Sequence, residues 1–184
     1  ATLLVLLPLA GAQAEEGKSK AAGTKYEAAK GLYVQGGWVV AKTNYNTGLD
    51  PNMGFDITGG YRFLPWLGAD ADFYWAGRDQ GGGFSTRSWA ITFNGKLYPL
   101  GLLAPKTLDA FQPYVVMGFG GGGGPVKDAT TGTFVYRLGA GLDWMLTKRL
   151  GVYTDASLHA TPGLKIGGNG GATGVWQLGA KFNF

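Results

Sequence analysis

Cysteine is absent from this 184-residue chain, histidine occurs once, and glutamate is confined to Glu15, Glu16 and Glu27. The missing thiols exclude a disulfide scaffold, a cysteine-based zinc or iron–sulfur site and a thiol nucleophile. Any carboxylate chemistry beyond residue 27 must use aspartate. Charged residues make up 15% of the chain, well below the usual level of about 25%. The net charge of +4 is too mild and dispersed for a nucleic-acid partner. Glycine and aromatics are plentiful instead: 34 Gly, 6 Trp, 9 Tyr and 10 Phe. Low charge with many aromatics runs against long disorder. No cofactor or metal is expected.

Residues 1–14, ATLLVLLPLAGAQA, carry no charge and end in a small-x-small site before Glu15. This is the apolar region and cleavage site of a signal peptide for export, too short for a membrane-spanning helix. No Met or basic stretch precedes it, so residues ahead of Ala1 are expected. Residues 15–30, EEGKSKAAGTKYEAAK, are charged and nearly free of bulky apolar groups, and read as a flexible tail.

From Gly31 to Phe184 the hydrophobic pattern has period two. Leu32, Val34, Gly36, Trp38 and Val40 alternate with Tyr33, Gln35 and Gly37. Phe55, Ile57, Gly59, Tyr61 and Phe63 alternate with Asp56, Thr58, Gly60 and Arg62. Six further segments follow, centred near Phe73, Phe93, Met117, Leu138, Ala156 and Leu178. The spacing predicts eight strands of roughly ten to thirteen residues, and a tilted membrane-spanning strand needs about 9–11. An even number of antiparallel strands is what a closed transmembrane barrel uses.

The polar faces hold Arg62, Asp70, Asp72, Lys96, Arg137, Asp143, Asp155 and Lys181 among Gly, Ser and Thr. That is poor material for a solvated surface. The apolar faces are long and place Trp38, Trp66, Trp75, Trp89, Trp144 and Trp176 towards strand ends, as interfacial girdles require. Both features favour an all-β, eight-stranded antiparallel transmembrane barrel over a soluble ligand-binding barrel, its lipid-facing side apolar and its axis polar. Connections should then alternate short and long. Leu64-Pro65-Trp66 and Thr147-Lys148-Arg149 are tight. Residues 44–53, 78–85, 122–132 and 161–173 read as long loops. The stretch 99–110 is long where a short turn is expected.

The segments GGYRFLPWLGADADFYW (59–75), NGKLYPLG (94–101), FQPYVVMGFG (111–120) and YRLGAGLDWMLTKRLGVYTDASL (136–158) resemble small bacterial outer-membrane β-barrel proteins. These include the opacity-like porins and the transmembrane domain of outer membrane protein A. The resemblance implies residence in the bacterial outer membrane with a periplasmic N-terminus. It also implies that Phe182 and Phe184 form the C-terminal signal read by the assembly machinery. Outer-membrane lipid and lipopolysaccharide are the expected surroundings, with surface or envelope proteins as possible partners.

The inward charges read as a salt-bridged network plugging a lumen that eight strands leave only wide enough for side chains. The alternative is a narrow pathway for ions or small solutes. Inward glycines are expected to leave gaps holding a few waters. Lys42 and Arg87 fall by parity on outward faces near strand ends, where they suit lipopolysaccharide phosphates or simple snorkelling. The run Gly120–Gly124 matches GxGxxG only trivially and reads as the start of a loop. Barrels that deacylate lipid A pair a His with a Ser two residues away. Here Thr161 stands two residues from His159, and Asp155 lies about 13 Å off along the strand. His159 is therefore expected at the rim, without a catalytic role.

Overall fold

The computed structural model describes residues 30–43, 51–79, 85–103, 110–123, 133–166 and 169–184. The expected signal peptide and most of the expected tail (1–29) lie outside the described residues. Eight strands follow in order: β1 (Gly31–Thr43), β2 (Asn52–Leu64), β3 (Leu67–Asp79), β4 (Ser85–Leu97), β5 (Phe111–Gly123), β6 (Thr133–Met145), β7 (Leu150–Ile166) and β8 (Asn169–Asn183). Each pairs antiparallel with its neighbours, and β8 pairs with β1 to close the barrel. Gly31 opens β1 at a φ of 133°, a conformation that a side chain would strain.

The register fixes the barrel's shape. A circuit from Tyr33 through Gly60, Asp70, Asn94, Gly118, Arg137, His159 and Thr173 returns to β1 at Thr43, ten residues beyond its start. A stagger of that size on eight strands tilts them about 40° from the axis.

The alternation sorts every strand into two faces. Leu32, Trp38, Ile57, Phe93, Met117, Leu138 and Leu178 point outward and are exposed. Aromatic rings gather at both rims of this surface. Phe63, Phe111, Trp144 and Phe184 lie at the end carrying the short turns, and Trp75 and Phe134 lie towards the opposite, loop end. Phe111 stacks on Trp144 at 5.2 Å. Lys42 and Arg87 lie on outward faces at the loop end, and the outward positions between the two rims carry no charge. An uncharged band about ten residues tall per tilted strand spans roughly 25 Å, the height of a membrane barrel's apolar belt.

Three connections differ from the sequence reading. Of the stretch 161–173, residues up to Ile166 continue β7 and those from Asn169 begin β8, paired through Lys165↔Gly170 and Ile166↔Asn169. Gly120–Gly123 belong to β5, paired with Thr133–Val135 of β6 and Trp89–Thr92 of β4. A glycine backbone donates and accepts like any other, so the ladder runs on where side-chain alternation gives no signal. The 99–110 connection contains a short helix, α1 (Pro99–Leu103). It rests against the β2–β3 turn: Tyr98 N donates to Trp66 O at 2.9 Å, and a Cβ on Gly101 would stand 2.2 Å from Pro65 O.

Candidate functional site in the barrel interior

Successive inward positions stack three kinds of residue along the axis. Nearest the turns, Asp70 and Asp143 organise one polar group. Lys96 Nζ lies 2.9 Å from Asp70 Oδ2 and donates to Gln35 Oε1 at 3.1 Å. Gln35 Nε2 donates to Asp143 Oδ1 at 3.1 Å, and Lys181 Nζ lies 2.5 Å from Asp143 Oδ2. Tyr33 Oη and Asn94 Nδ2 donate to Asp70 at 2.9 and 2.7 Å. The ammonium groups also sit over aromatic faces, Lys181 4.2 Å from the Tyr33 centroid and Lys96 4.5 Å from that of Tyr114. Such contacts add to the pairing when desolvated.

One step towards the loops, Arg137 bridges two acids. Its Nη1 is 2.9 Å from Asp72 Oδ2 and its Nη2 is 2.9 Å from Asp155 Oδ1. Gln177 accepts from Arg137 at 2.9 Å and donates to Asp72 at 3.2 Å, while Thr58 Oγ1 donates to Asp72 at 2.7 Å. Asp56 accepts from the Tyr153 hydroxyl. Beyond this layer the lining turns apolar, with Val39, Ala41, Tyr74, Ala76, Ala90 and Val175 in one buried cluster.

The structure thus brings Asp70, Asp72, Lys96, Arg137, Asp143, Asp155 and Lys181 into ion pairs. Asp143 and Asp155 are at most 1% exposed and Lys96 2%. A buried charge is tolerable only when paired and hydrogen-bonded. Arg62 stands apart. Its guanidinium lies 3.9 Å over the Tyr98 ring and donates to Gln112 Oε1 and Pro65 O, with no carboxylate partner among the described residues. Its position at the turn end of β2 places it beside the helix connection, where Gln112 and Tyr98 stand between it and Asp143.

The inward glycines hold rings where gaps were expected. Tyr33, Gly60 and Asp70 occupy one row across β1, β2 and β3. A Cβ on Gly60 would stand 2.4 Å from the Tyr33 ring. Tyr114, Gly141 and Asp155 repeat the pattern across β5, β6 and β7, again with 2.4 Å at the glycine. Tyr153 crosses two glycines, Gly179 and Gly37, to reach Asp56. At Gly60 and Gly141 the missing side chain makes room for the phenol ring. Buried atoms without a protein partner among the described residues remain, including Tyr114 Oη, Asp155 Oδ2, Thr92 Oγ1 and Asn94 Oδ1. Groups of this kind are satisfied by internal water.

His159 is not at an open rim. It is buried inside the barrel, edge-on to Tyr74 at 5.1 Å, with Nε2 3.3 Å from Ser157 Oγ. Its inward parity carries it across the lumen to a ring on the opposite wall. Tyr98 and Tyr114 were missed by the sequence reading. Tyr98 lies one residue past β4, and Tyr114 lies on the β5 face that was read only through its outward partners. Lys42 and Arg87 are exposed on outward faces, each paired in register with a glycine, Gly174 and Gly77. Two strands separate them, so they do not form one cluster. Phe182 and Phe184 meet edge-to-face at 5.1 Å, and Phe184 N donates to Leu32 O at 3.0 Å. Among the described residues no group of His, Asp or Glu is placed to hold a metal ion.

Residues 1–184 match the outer membrane protein beta-barrel domain family. The chain belongs to that family, and its place is the bacterial outer membrane. No curated protein sequence matches it. Among solved structures it is similar to Neisserial surface protein A (NspA), with TM-score 0.65 and 14% identity over 83% of this chain and 97% of that one. Ail, the attachment invasion locus protein of Yersinia pestis, gives TM-score 0.57 and 17% identity over 85% and 100%. OprG from Pseudomonas aeruginosa gives TM-score 0.56 and 16% identity over 88% and 99%. These likenesses establish the architecture of the barrel.

Proposed function

We propose that the protein is a non-enzymatic outer-membrane barrel whose lumen is plugged by its charged network and whose role is envelope structure or surface interaction at the loop end. The N-terminus and short turns face the periplasm in this reading. The observation that carries it is the double ion pair of Arg137 with Asp72 and Asp155, set across the axis and backed by Gln177. Side chains paired in that way across the axis support a plugged lumen. Ail is also known in complex with the heparin analogue sucrose octasulfate, which supports surface contact as a use for this architecture. Phe182 and Phe184 serve as the signal to the assembly machinery, and Lys42 and Arg87 contact lipopolysaccharide phosphates from the barrel's outer rim.

The second reading is a narrow pathway for ions or small solutes, favoured by the unpartnered polar atoms along the lumen. Planar-bilayer recording separates the two. A plugged barrel gives no reproducible open level, and a stable unitary conductance would sink the plugged reading. A lipid A-modifying activity is disfavoured because Ser157 and His159, the only hydroxyl–imidazole pair among the described residues, are buried from the membrane. Expression in a lipopolysaccharide-producing host without any shift in lipid A mass is the expected result.

A further inference from the structure

The turn end of the barrel carries a surface that neither the plug nor the loop-end reading uses. Helix α1 does not hang free below the wall. The Tyr98–Trp66 backbone bond and the close approach of Gly101 to Pro65 hold it sideways along the rim, against the neighbouring β2–β3 turn. Its last two residues, Leu102 and Leu103, are nevertheless 60% and 81% exposed. They continue the apolar belt past the ends of the strands.

Cations stand across the rim from them. Lys148 and Arg149 form the tip of the β6–β7 turn, where Thr147 Oγ1 accepts from Arg149 N at 3.2 Å and from Leu150 N at 2.8 Å. Asn183 N donates to Arg149 O at 2.8 Å, tying this tip to the closing strand. Lys30 is exposed just ahead of β1. None of the three has an ion-pair partner among the described residues, and no described residue exposed at this end is acidic. Exposed leucines on one side of the rim and unpaired cations on the other, both continuous with a lipid-facing belt, are the chemistry of an interfacial lipid contact.

We infer that the turn end is a binding surface for anionic glycerophospholipid headgroups, held by Lys30, Lys148 and Arg149 on the side of β7, β8 and β1, with Leu102 and Leu103 seated in the acyl region on the opposite side of the rim. The ammonium and guanidinium groups meet the phosphates, and guanidinium forms paired hydrogen bonds with them. The leucines stay out of water. Zwitterionic lipid satisfies the leucines equally but leaves the three cations with weaker partners.

The full chain refolded into mixed phosphatidylcholine–phosphatidylglycerol vesicles provides the test, with heat-modifiable gel mobility confirming closure for every variant. Native mass spectrometry of the barrel released from them should retain phosphatidylglycerol several-fold over phosphatidylcholine. Lys30→Gln, Lys148→Gln and Arg149→Gln together should bring the two to parity. Inorganic phosphate should not displace the retained lipid. The chain has no cysteine of its own, so a nitroxide on Leu103→Cys reports one place, and Leu138→Cys serves as a belt control. The label at 103 should be shielded from a water-soluble relaxation agent and open to oxygen, as at 138. Equal retention of both lipids by the parent barrel, displacement by phosphate, or an aqueous signal at 103 while 138 reads hydrocarbon each overturns the proposal. None of these outcomes bears on whether the lumen conducts.

Discussion

The Tyr33 hydroxyl reaches Asp70 Oδ2 at 2.9 Å by lying across Gly60, the residue registered between them. An added methyl at Gly60 meets the ring at 2.4 Å, and at Gly141 it meets Tyr114 at the same distance. Overpacking of this kind costs about 1–3 kcal/mol. Gly60→Ala and Gly141→Ala should each lower the unfolding free energy of the vesicle-inserted barrel, read from urea titration, by that amount. Gly59→Ala, one residue away but facing outward with nothing within 4 Å, should leave the midpoint unchanged.

Arg137 holds two carboxylates. Arg137→Met strands Asp72 and Asp155 as buried, unneutralised acids, and breaking a buried pair in this way costs about 3–5 kcal/mol. Combining it with Asp72→Asn and Asp155→Asn should recover most of the loss. Equilibrium unfolding in detergent reads both variants. A single substitution as stable as the parent would show that the network carries no such strain.

On the lipid face, Trp176 Nε1 donates to Thr154 Oγ1 at 2.9 Å. Hydrocarbon offers no replacement partner, so Trp176→Phe should cost about 1 kcal/mol beyond the lost ring area. Thr154→Val strands the indole N–H and should cost a similar amount, and the double variant should show the coupling. A double-mutant cycle measures it directly.

Lys42 and Arg87 are exposed cations on outward faces at the loop end. Lys42→Gln with Arg87→Gln should reduce lipopolysaccharide retained on the purified barrel several-fold while heat-modifiable mobility is unchanged. Unchanged retention would mean that the two side chains merely snorkel.

The two faces of each strand were legible because parity alone separates Asp70, Asp72 and Arg137 from Ala71, Phe73 and Leu138. The strand count followed from the same alternation. What parity does not carry is register. Which aspartate Arg137 meets, why Arg62 meets none, and which glycine lies beneath which tyrosine all depend on how strands slide past one another. Glycine runs hide strand ends for a related reason: Gly120–Gly123 keep the backbone ladder but offer no side chain to count. His159 was misplaced because its inward parity was outweighed by its nearness to an apparent loop.

The closing seam joins residues as far apart as Tyr33 and Asn183, 150 positions along the chain. Until the final fifteen-residue strand is delivered, β1 presents a bare row of amide and carbonyl groups, the kind of edge that recruits any passing strand. Every intermediate before that moment is an open sheet looking for a partner. Closure therefore depends on that first edge staying free until the last strand arrives to cover it.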